Sequence, residues 1–497
     1  MSLRDYFSSE EDKRRITGLL LGIIIAFIVY LFLDFSSEQH LQRLLASVAA
    51  LMAVWWITEC IPLAATSLIP LVLFPFLGIL SGKDTAASYI NSTIFLFMGG
   101  FIIALAMEKW ELHKRIALSL ISLFGNNPSQ IILGFMIASA FISMWISNTA
   151  TAVMLLPIGL AIIYKMEEQF SKEATKKFSI ALLLAIAYSC SVGGLGTLIG
   201  TPPNLVFQRV FSIQFPDRPE IVFSEWMIFA LPLSLVMLII IWLLLTKVFF
   251  RVSKDVVLQK DVIKSERIKL GKMSYEEKVV LIVFTLTAVL WIFRNDLEAG
   301  IFTLPGWSSL LSTKDYIDDG TIAIMMGLLL FIIPAKDKTR GSFAILGNKI
   351  IRKIPWEIIL LFGGGFALAE GFVATGLSET IGAQFAGLKG MPVYLLILII
   401  CLSITFLTEL TSNTATAQII LPILASLSVQ LNLDPFLLMI PATLSASMAF
   451  MMPVATPPNA IIFGSDRIKV KEMARTGLAI NFIGAFLISA YIYFIFG

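Results

Sequence analysis

"SNTATAVMLLP", residues 147–157, returns as "SNTATAQIILP" at residues 412–422, 265 positions later. Each copy sets short hydroxyl and amide side chains in the middle of oily sequence. Each is followed by the tetrapeptide "TPPN", at Thr201–Asn204 and Thr456–Asn459, an offset of 255. The repetition is wider still: Gly99, Gly100 and Phe101 match Gly364, Gly365 and Phe366 at the same offset of 265. The chain therefore reads as two homologous halves.

Its solvent reads as a bilayer. Of 497 residues 57% are hydrophobic and 14% charged, and the mean hydropathy is +0.87, far more apolar than a soluble domain. Uncharged runs such as Ile16–Leu33, Pro62–Leu80, Met227–Thr246 and Gly477–Gly497 reach the roughly 20 residues that cross a hydrocarbon core. The first run follows Arg4, Lys13, Arg14 and Arg15 without a small-residue cleavage site, so it reads as a retained helix. Single crossings are expected near 16–34, 41–58, 62–81, 92–108, 223–250, 277–294, 320–334, 355–373 and 476–497.

A cytoplasmic N-terminus places the main basic runs on the cytoplasmic side: Lys165–Lys177, Arg251–Lys278, Lys336–Lys353 and Arg467–Arg475. Opposite loops such as Asp296–Asp319 lean acidic. This is the topogenic pattern of membrane proteins, and it gives no reason to infer a nucleic-acid partner. Cys60, Cys190 and Cys401 lack metal-ligand spacing and read as packing residues.

Four stretches depart from simple crossings. Residues 116–164 and 390–433 each carry "SNT" near the middle, with Pro128 and Pro392 near the starts of their first arms. Arms of this length suit hairpins that dip in and return. Residues 178–208 and 435–465 are uncharged, and as straight helices each would run about 46 Å, longer than the core. The paired prolines of "TPPN" break each one within the membrane. Crossings counted from the Gly99 helix to the Gly364 helix come to an odd number, so the second half is expected upside down relative to the first.

Two inverted hairpin tips would meet near the midplane. Each begins a helix, whose free N–H groups and partial positive charge attract anions. Ser, Asn and Thr add neutral donors and acceptors. No Lys or Arg lies between Arg115 and Lys165, or between Lys389 and the end of the second hairpin. An anion there is held by dipoles and hydroxyls, or by co-bound hard cations such as Na+ on oxygen ligands. Alone, "SNT" is an ordinary N-cap and "TPPN" an ordinary turn; their paired recurrence in one order carries the argument. "GGLGT" at 193–197 lacks the strand-turn-helix setting of a nucleotide loop. The glycines of "FMGGF" and "FGGGF" read as close helix packing. Glu108 reads as interfacial, while Glu409 either orients the second tip or is solvated. Glu370 is a third acid at membrane depth. His40 and His113 are expected at the surface.

These motifs resemble the divalent anion/sodium symporter family of dicarboxylate, tricarboxylate and sulfate carriers. The resemblance implies an all-α polytopic protein of about 11 transmembrane helices, as two inverted repeats each with a re-entrant hairpin and a broken helix. It further implies a homodimer whose transport domain moves as an elevator against a scaffold. Scaffold helices would be residues 1–115 and 277–389, with transport-domain parts at 116–250 and 390–497 and a basic cytoplasmic linker at 251–276. By resemblance a first sodium site takes Ser143, Ser147, Asn148 and the Gly196 carbonyl, and a second takes Thr408, Ser412, Asn413 and the Ala455 carbonyl. Substrate carboxylates would meet Ser147, Asn148, Thr149, Ser412, Asn413 and Thr414, with Thr197, Thr201, Thr456 and Pro457 nearby. "GLGTLIGTPPN" offers both Gly196-Thr197 and Gly200-Thr201 as partner of Ala455-Thr456, with Gly196 preferred for the cation.

The expected function is secondary active transport of C4 or C5 dicarboxylates such as succinate, malate, fumarate or 2-oxoglutarate. It runs as sodium symport or as exchange, in the plasma membrane, with Na+ as coupling ion and no other cofactor. Sulfate carriage is the alternative. A membrane enzyme is disfavoured, because no metal-protease motif or catalytic pair of acids appears. A channel is the third class, and it would show flux without saturation or counterflow.

Overall fold

The computed structural model describes residues 10–32, 39–125, 127–252, 261–298, 303–338, 343–388 and 390–497. Arg4, Lys389 and residues 253–260 of the basic linker, all invoked above, lie outside them. The first half contains α1 (Glu10–Phe32), α2 (His40–Thr58), α3 (Leu63–Thr66), α4 (Ile69–Leu77), α5 (Gly82–Ala87), α6 (Ser92–Lys109), α7 (Leu112–Ile121), α8 (Pro128–Ser143), α9 (Asn148–Phe170), α10 (Lys172–Gly194), α11 (Pro202–Gln214) and α12 (Phe223–Leu243). Then follow α13 (Asp261–Lys269), α14 (Tyr275–Ile292), α15 (Asp319–Ile332), α16 (Trp356–Thr375), α17 (Leu377–Gln384), α18 (Val393–Thr408), α19 (Asn413–Leu431), α20 (Phe436–Ala446), α21 (Pro457–Phe463) and α22 (Val470–Phe496). Among the described residues nine helices are long and apolar enough to cross a membrane, and five shorter apolar helices accompany them. The protein is an all-α polytopic membrane protein, its only described strands being Leu297–Glu298 and Thr303–Leu304.

Both hairpins and both breaks form where the sequence puts them. Asn127 caps α8 through Ser129 N, with Pro128 in the first turn, where a missing N–H costs nothing. The arms α8 and α9 meet at residues 144–147, and α18 and α19 meet at residues 409–412. The first broken helix parts between α10 and α11, the second between α20 and α21, and each second piece starts on the two prolines of "TPPN". The second gap, residues 447–456, is wider than the first, residues 195–201.

One expected crossing is absent as a single helix. Residues 62–81 hold α3 and α4, interrupted at Ser67 and Leu68, with Pro75 inside α4. The break exposes the Ser67 carbonyl, which accepts a hydrogen bond from Tyr89 Oη at 2.5 Å. The expected crossing at 320–334 is also short, α15 ending at Ile332.

The repeat is visible in contacts. Phe97 and Phe362, 265 residues apart, face each other with ring centroids 5.2 Å apart, edge to face. Each also packs on the phenylalanine four residues on, Phe101 and Phe366, at 5.4 and 5.8 Å. Equivalent helices of the two halves thus touch through equivalent residues. The turn after each is equivalent too: Glu111 and Gly376 both take the left-handed conformation, with φ 57° and 69°. Glycine lets each helix press on the other half's neighbour. A Cβ on Gly99 would lie 2.5 Å from the Ala323 backbone in α15, and one on Gly364 would lie 2.6 Å from the Ser67 carbonyl.

A large core joins α6–α12 to the second-half helices. A smaller one, built on Leu45, Met52, Trp56, Phe74 and Phe372, ties α2 and α4 to α16. Cys60, Cys190 and Cys401 are buried and unpaired with one another, as packing residues should be. Glu108 and His40 are exposed. His113 corrects an expectation: α7 folds back so that its ring is only 8% exposed, and Nδ1 donates to the Met107 carbonyl at 2.9 Å near the end of α6.

Candidate functional site

At each hairpin tip the first arm ends in a hydroxyl and the second begins with an asparagine. Ser143 Oγ contacts Asn148 Oδ1 and lies 2.7 Å from the Cys190 carbonyl in α10. In the second half Thr408 Oγ1 lies 2.7 Å from Asn413 Oδ1 and 2.8 Å from the Ala446 carbonyl at the end of α20. A hydroxyl carries one proton, so in each unit it faces two acceptors with a single donor. That leaves an excess of neutral oxygen lone pairs, the ligand chemistry of a hard monovalent or divalent cation. Ser143 and Thr408 are fully buried, while Asn148 and Asn413 are half-buried.

The unwound segments are pinned by the last residue of each "TPPN", which sequence reasoning passed over. Asn204 Nδ2 donates to the carbonyls of Thr197 at 2.7 Å and Gly194 at 3.1 Å. Asn459 Nδ2 donates to Met452 and Ala449, both at 3.1 Å. These bonds repeat at an offset of 255, which pairs Gly200 with Ala455 and Thr201 with Thr456. Around the first unit, a Cβ on Gly194 would lie 3.0 Å from Asn148 Oδ1, and one on Gly200 would lie 2.5 Å from the Gly194 carbonyl. Gly196 packs instead against Met144 and the Gly193 carbonyl. Thr197 is committed elsewhere, its buried hydroxyl donating to the Met144 carbonyl at 2.5 Å.

The other expected residues differ between the halves. Ser147 caps α9, accepting from Ala150 N at 3.2 Å, whereas Ser412 makes no such cap bond on α19. The first-turn N–H groups of α19 are therefore freer for a ligand. Thr149 is exposed and Thr414 buried. Thr456 caps α21 through Asn459 N at 3.4 Å, and Pro457 beside it is exposed. Thr201 Oγ1 lies 3.4 Å from Ser447 Oγ, a contact between the two broken helices.

The halves interlock around these tips. α11 packs on α19, α21 packs on α9, and α10 meets α21, so each broken helix serves the other half's hairpin. Tyr188 of α10 donates to the Phe450 carbonyl at 3.0 Å.

Glu409 sits at the second tip. It is 4% exposed, so the solvated reading fails, and its partners lie in the unwound segment. Its carboxyl accepts from Phe450 N at 2.7 Å, Met451 N at 2.8 Å, Met452 N at 3.0 Å and Asn481 Nδ2 at 2.7 Å. Amides that a broken helix would leave unpaired in lipid are thus satisfied from within. The equivalent position in the first half is Met144. Glu370 pairs with Arg209 at 3.2 Å across α16 and α11.

Residues 13–496 match the sodium:sulfate symporter transmembrane region. The chain belongs to this family. Two sodium-dependent dicarboxylate transporters, both named SdcS, are similar to this symporter-family chain throughout. The Staphylococcus saprophyticus protein is 42% identical and the Staphylococcus aureus MRSA252 protein 45%, each alignment covering 99% of this chain and 94% of the relative. Among solved structures the fold is similar to Neisseria gonorrhoeae MtrF, with TM-score 0.58, 12% identity and coverage of 98% of this chain and 95% of that one. It is equally similar to the Alcanivorax borkumensis YdaH transporter, with TM-score 0.58, 14% identity and coverage of 98% and 99%. A symporter-family chain is a transporter, not an enzyme.

Proposed function

We propose that this protein carries C4 or C5 dicarboxylates, such as succinate, malate, fumarate or 2-oxoglutarate, coupled to Na+. The observation that carries the reading is the pair of repeat-related oxygen clusters, Ser143–Asn148 with the Cys190 carbonyl and Thr408–Asn413 with the Ala446 carbonyl. Each cluster has surplus oxygens for one Na+, and each stands at the start of a long helix, whose dipole favours a carboxylate. Two such poles suit a substrate with two carboxylates. Two relatives more than 40% identical are named sodium-dependent dicarboxylate transporters, which favours symport over exchange and dicarboxylate over sulfate.

Of the expected ligands, Ser147, Asn148, Thr149, Ser412, Asn413 and Thr414 would contact carboxylates, with Thr201, Thr456 and Pro457 at the edge. Cation ligands would be Ser143, Ser147 and Asn148 in one half and Thr408, Ser412, Asn413 and the Ala455 carbonyl in the other. For the first-half carbonyl, Gly196 is the expected cation ligand and Gly200 the alternative, Gly200 being the partner of Ala455 at the offset that relates the Asn204 and Asn459 hydrogen bonds. Transport follows alternating access of the elevator type in a homodimer in the plasma membrane, N-terminus cytoplasmic. Residues 116–250 and 390–497 move against 1–115 and 277–389.

Proteoliposomes containing the full chain test this. Labelled succinate accumulates under an inward Na+ gradient and not under K+, and unlabelled malate competes where sulfate does not. Asn148→Ala or Asn413→Ala abolishes uptake while the protein stays folded. Succinate uptake indifferent to Na+, or wild-type uptake by either variant, would overturn the reading.

A further inference from the structure

Beside α7 lies a cavity of about 380 Å³ that the transport site does not use. α7 buries Leu112, His113, Ala117, Leu118 and Ile121 and turns Arg115, Ser119 and Leu120 to this cavity, which Arg267 of α13, Met273 and Leu281 of α14 close. Arg115 forms a fixed wall. It pairs with both Glu277 oxygens at 2.8 and 3.1 Å and donates to the Gly271 and Leu270 carbonyls at 3.0 and 3.1 Å.

Glu277 offsets the charge of Arg115. The Arg267 guanidinium has no hydrogen-bond or ion-pair partner among the described residues, and the residue stands exposed at the rim. The cavity lining thus combines one uncompensated cation and a hydroxyl with the apolar side chains of Leu120, Met273 and Leu281. Its depth is fixed by the chain: helical structure from α12 runs to Phe249 and α14 starts at Tyr275, so α13 lies beyond one face of the membrane and Leu281 within it. Lys269, Lys272 and Lys278 share that face, the one read as cytoplasmic.

Free phosphate would leave the apolar wall wet. An uncharged chain would leave Arg267 unpaired. Only an amphiphile with a negative head satisfies both kinds of lining, and anionic lipids gather at basic cytoplasmic surfaces. We propose that this cavity binds one anionic glycerophospholipid, its phosphate against Arg267 and Ser119 and an acyl chain along Leu120, Met273 and Leu281.

The test uses the delipidated full chain in neutral detergent, with retained lipid counted by native mass spectrometry. Phosphatidylglycerol is retained, phosphatidylcholine is not, and millimolar inorganic phosphate does not displace it. Arg267→Gln lowers phosphatidylglycerol retention about fivefold, the effect of one basic residue near a membrane surface. Leu120→Trp, which fills part of the cavity, lowers it as well. Lys172→Gln, an exposed lysine of another basic run, leaves it unchanged. Equal retention of both lipids, displacement by inorganic phosphate, wild-type retention by Arg267→Gln, or an equal loss in Lys172→Gln would overturn the proposal. No arm depends on transport, so failure here is separable from failure of the dicarboxylate reading.

Discussion

Glu409 accepts four hydrogen bonds with one side chain, three of them from consecutive backbone amides of the second broken helix. Glu409→Gln keeps the size but turns an NH2 group toward N–H donors. An unsatisfied buried donor costs about 1–3 kcal/mol, so thermal unfolding of the purified variant should show a loss of that order, with succinate uptake falling as the Phe450–Met452 segment slackens. Unchanged stability and uptake would show that the segment holds itself. This residue also measures what sequence could tell. The acid next to "SNT" was conspicuous, yet its partners lie up to 72 positions away and are set by how α22 and the unwound segment pack. The placement of Asn148 and Asn413 at the tips was legible because it is local to the motif. Asn204 and Asn459 were in plain view in "TPPN", where the prolines drew the attention, and only the carbonyls beneath them reveal their work.

At the scale of elements, glycine decides which helices touch. The three glycines at 363–365 each admit a different neighbour: Tyr89, the Ser67 backbone and Gln418. Gly364→Ala meets backbone that cannot rotate away, as does Gly99→Ala at Ala323. Each should destabilise the fold by about 1–3 kcal/mol, the usual cost of overpacking, read as a lower unfolding temperature in detergent. Gly387→Ala, where a side chain meets open space, is the control, and equal behaviour of all three variants would refute the packing argument. Sequence exposed the glycines, the hairpins and the proline breaks because each has a local cause. It misread residues 62–81, whose apolar composition suits a continuous crossing. There the tertiary partners, Tyr89 on a carbonyl and α16 on the backbone, stabilise a break that hydropathy cannot register. His113 was misplaced for the same reason, since a polar ring near a span end is buried only when a neighbouring carbonyl awaits it.

For the whole molecule, the Arg209–Glu370 pair joins an element expected to move, α11, to one expected to stand, α16. Its side chains are 25% and 38% exposed, so by itself it contributes less than about 1 kcal/mol to stability. Glu370→Gln should leave the unfolding temperature nearly unchanged and speed succinate counterflow, because one tie between the two parts is gone. Slower counterflow, or a large drop in unfolding temperature, would place the pair in the fold rather than in the motion. The twofold repeat was legible in the sequence, as the contact between Phe97 and Phe362 bears out, and which helices would move against which was not, because both halves carry the same apolar composition.

Met144 and Glu409 occupy one position in the two copies, thioether on one side and carboxyl on the other. A carrier assembled from identical halves would have degenerate resting states, open equally often to either side when no gradient is applied. Here Met144 and Glu409, together with the capped Ser147 and uncapped Ser412 at the same tips, make the two copies inequivalent, so the symmetry that would enforce such degeneracy is absent.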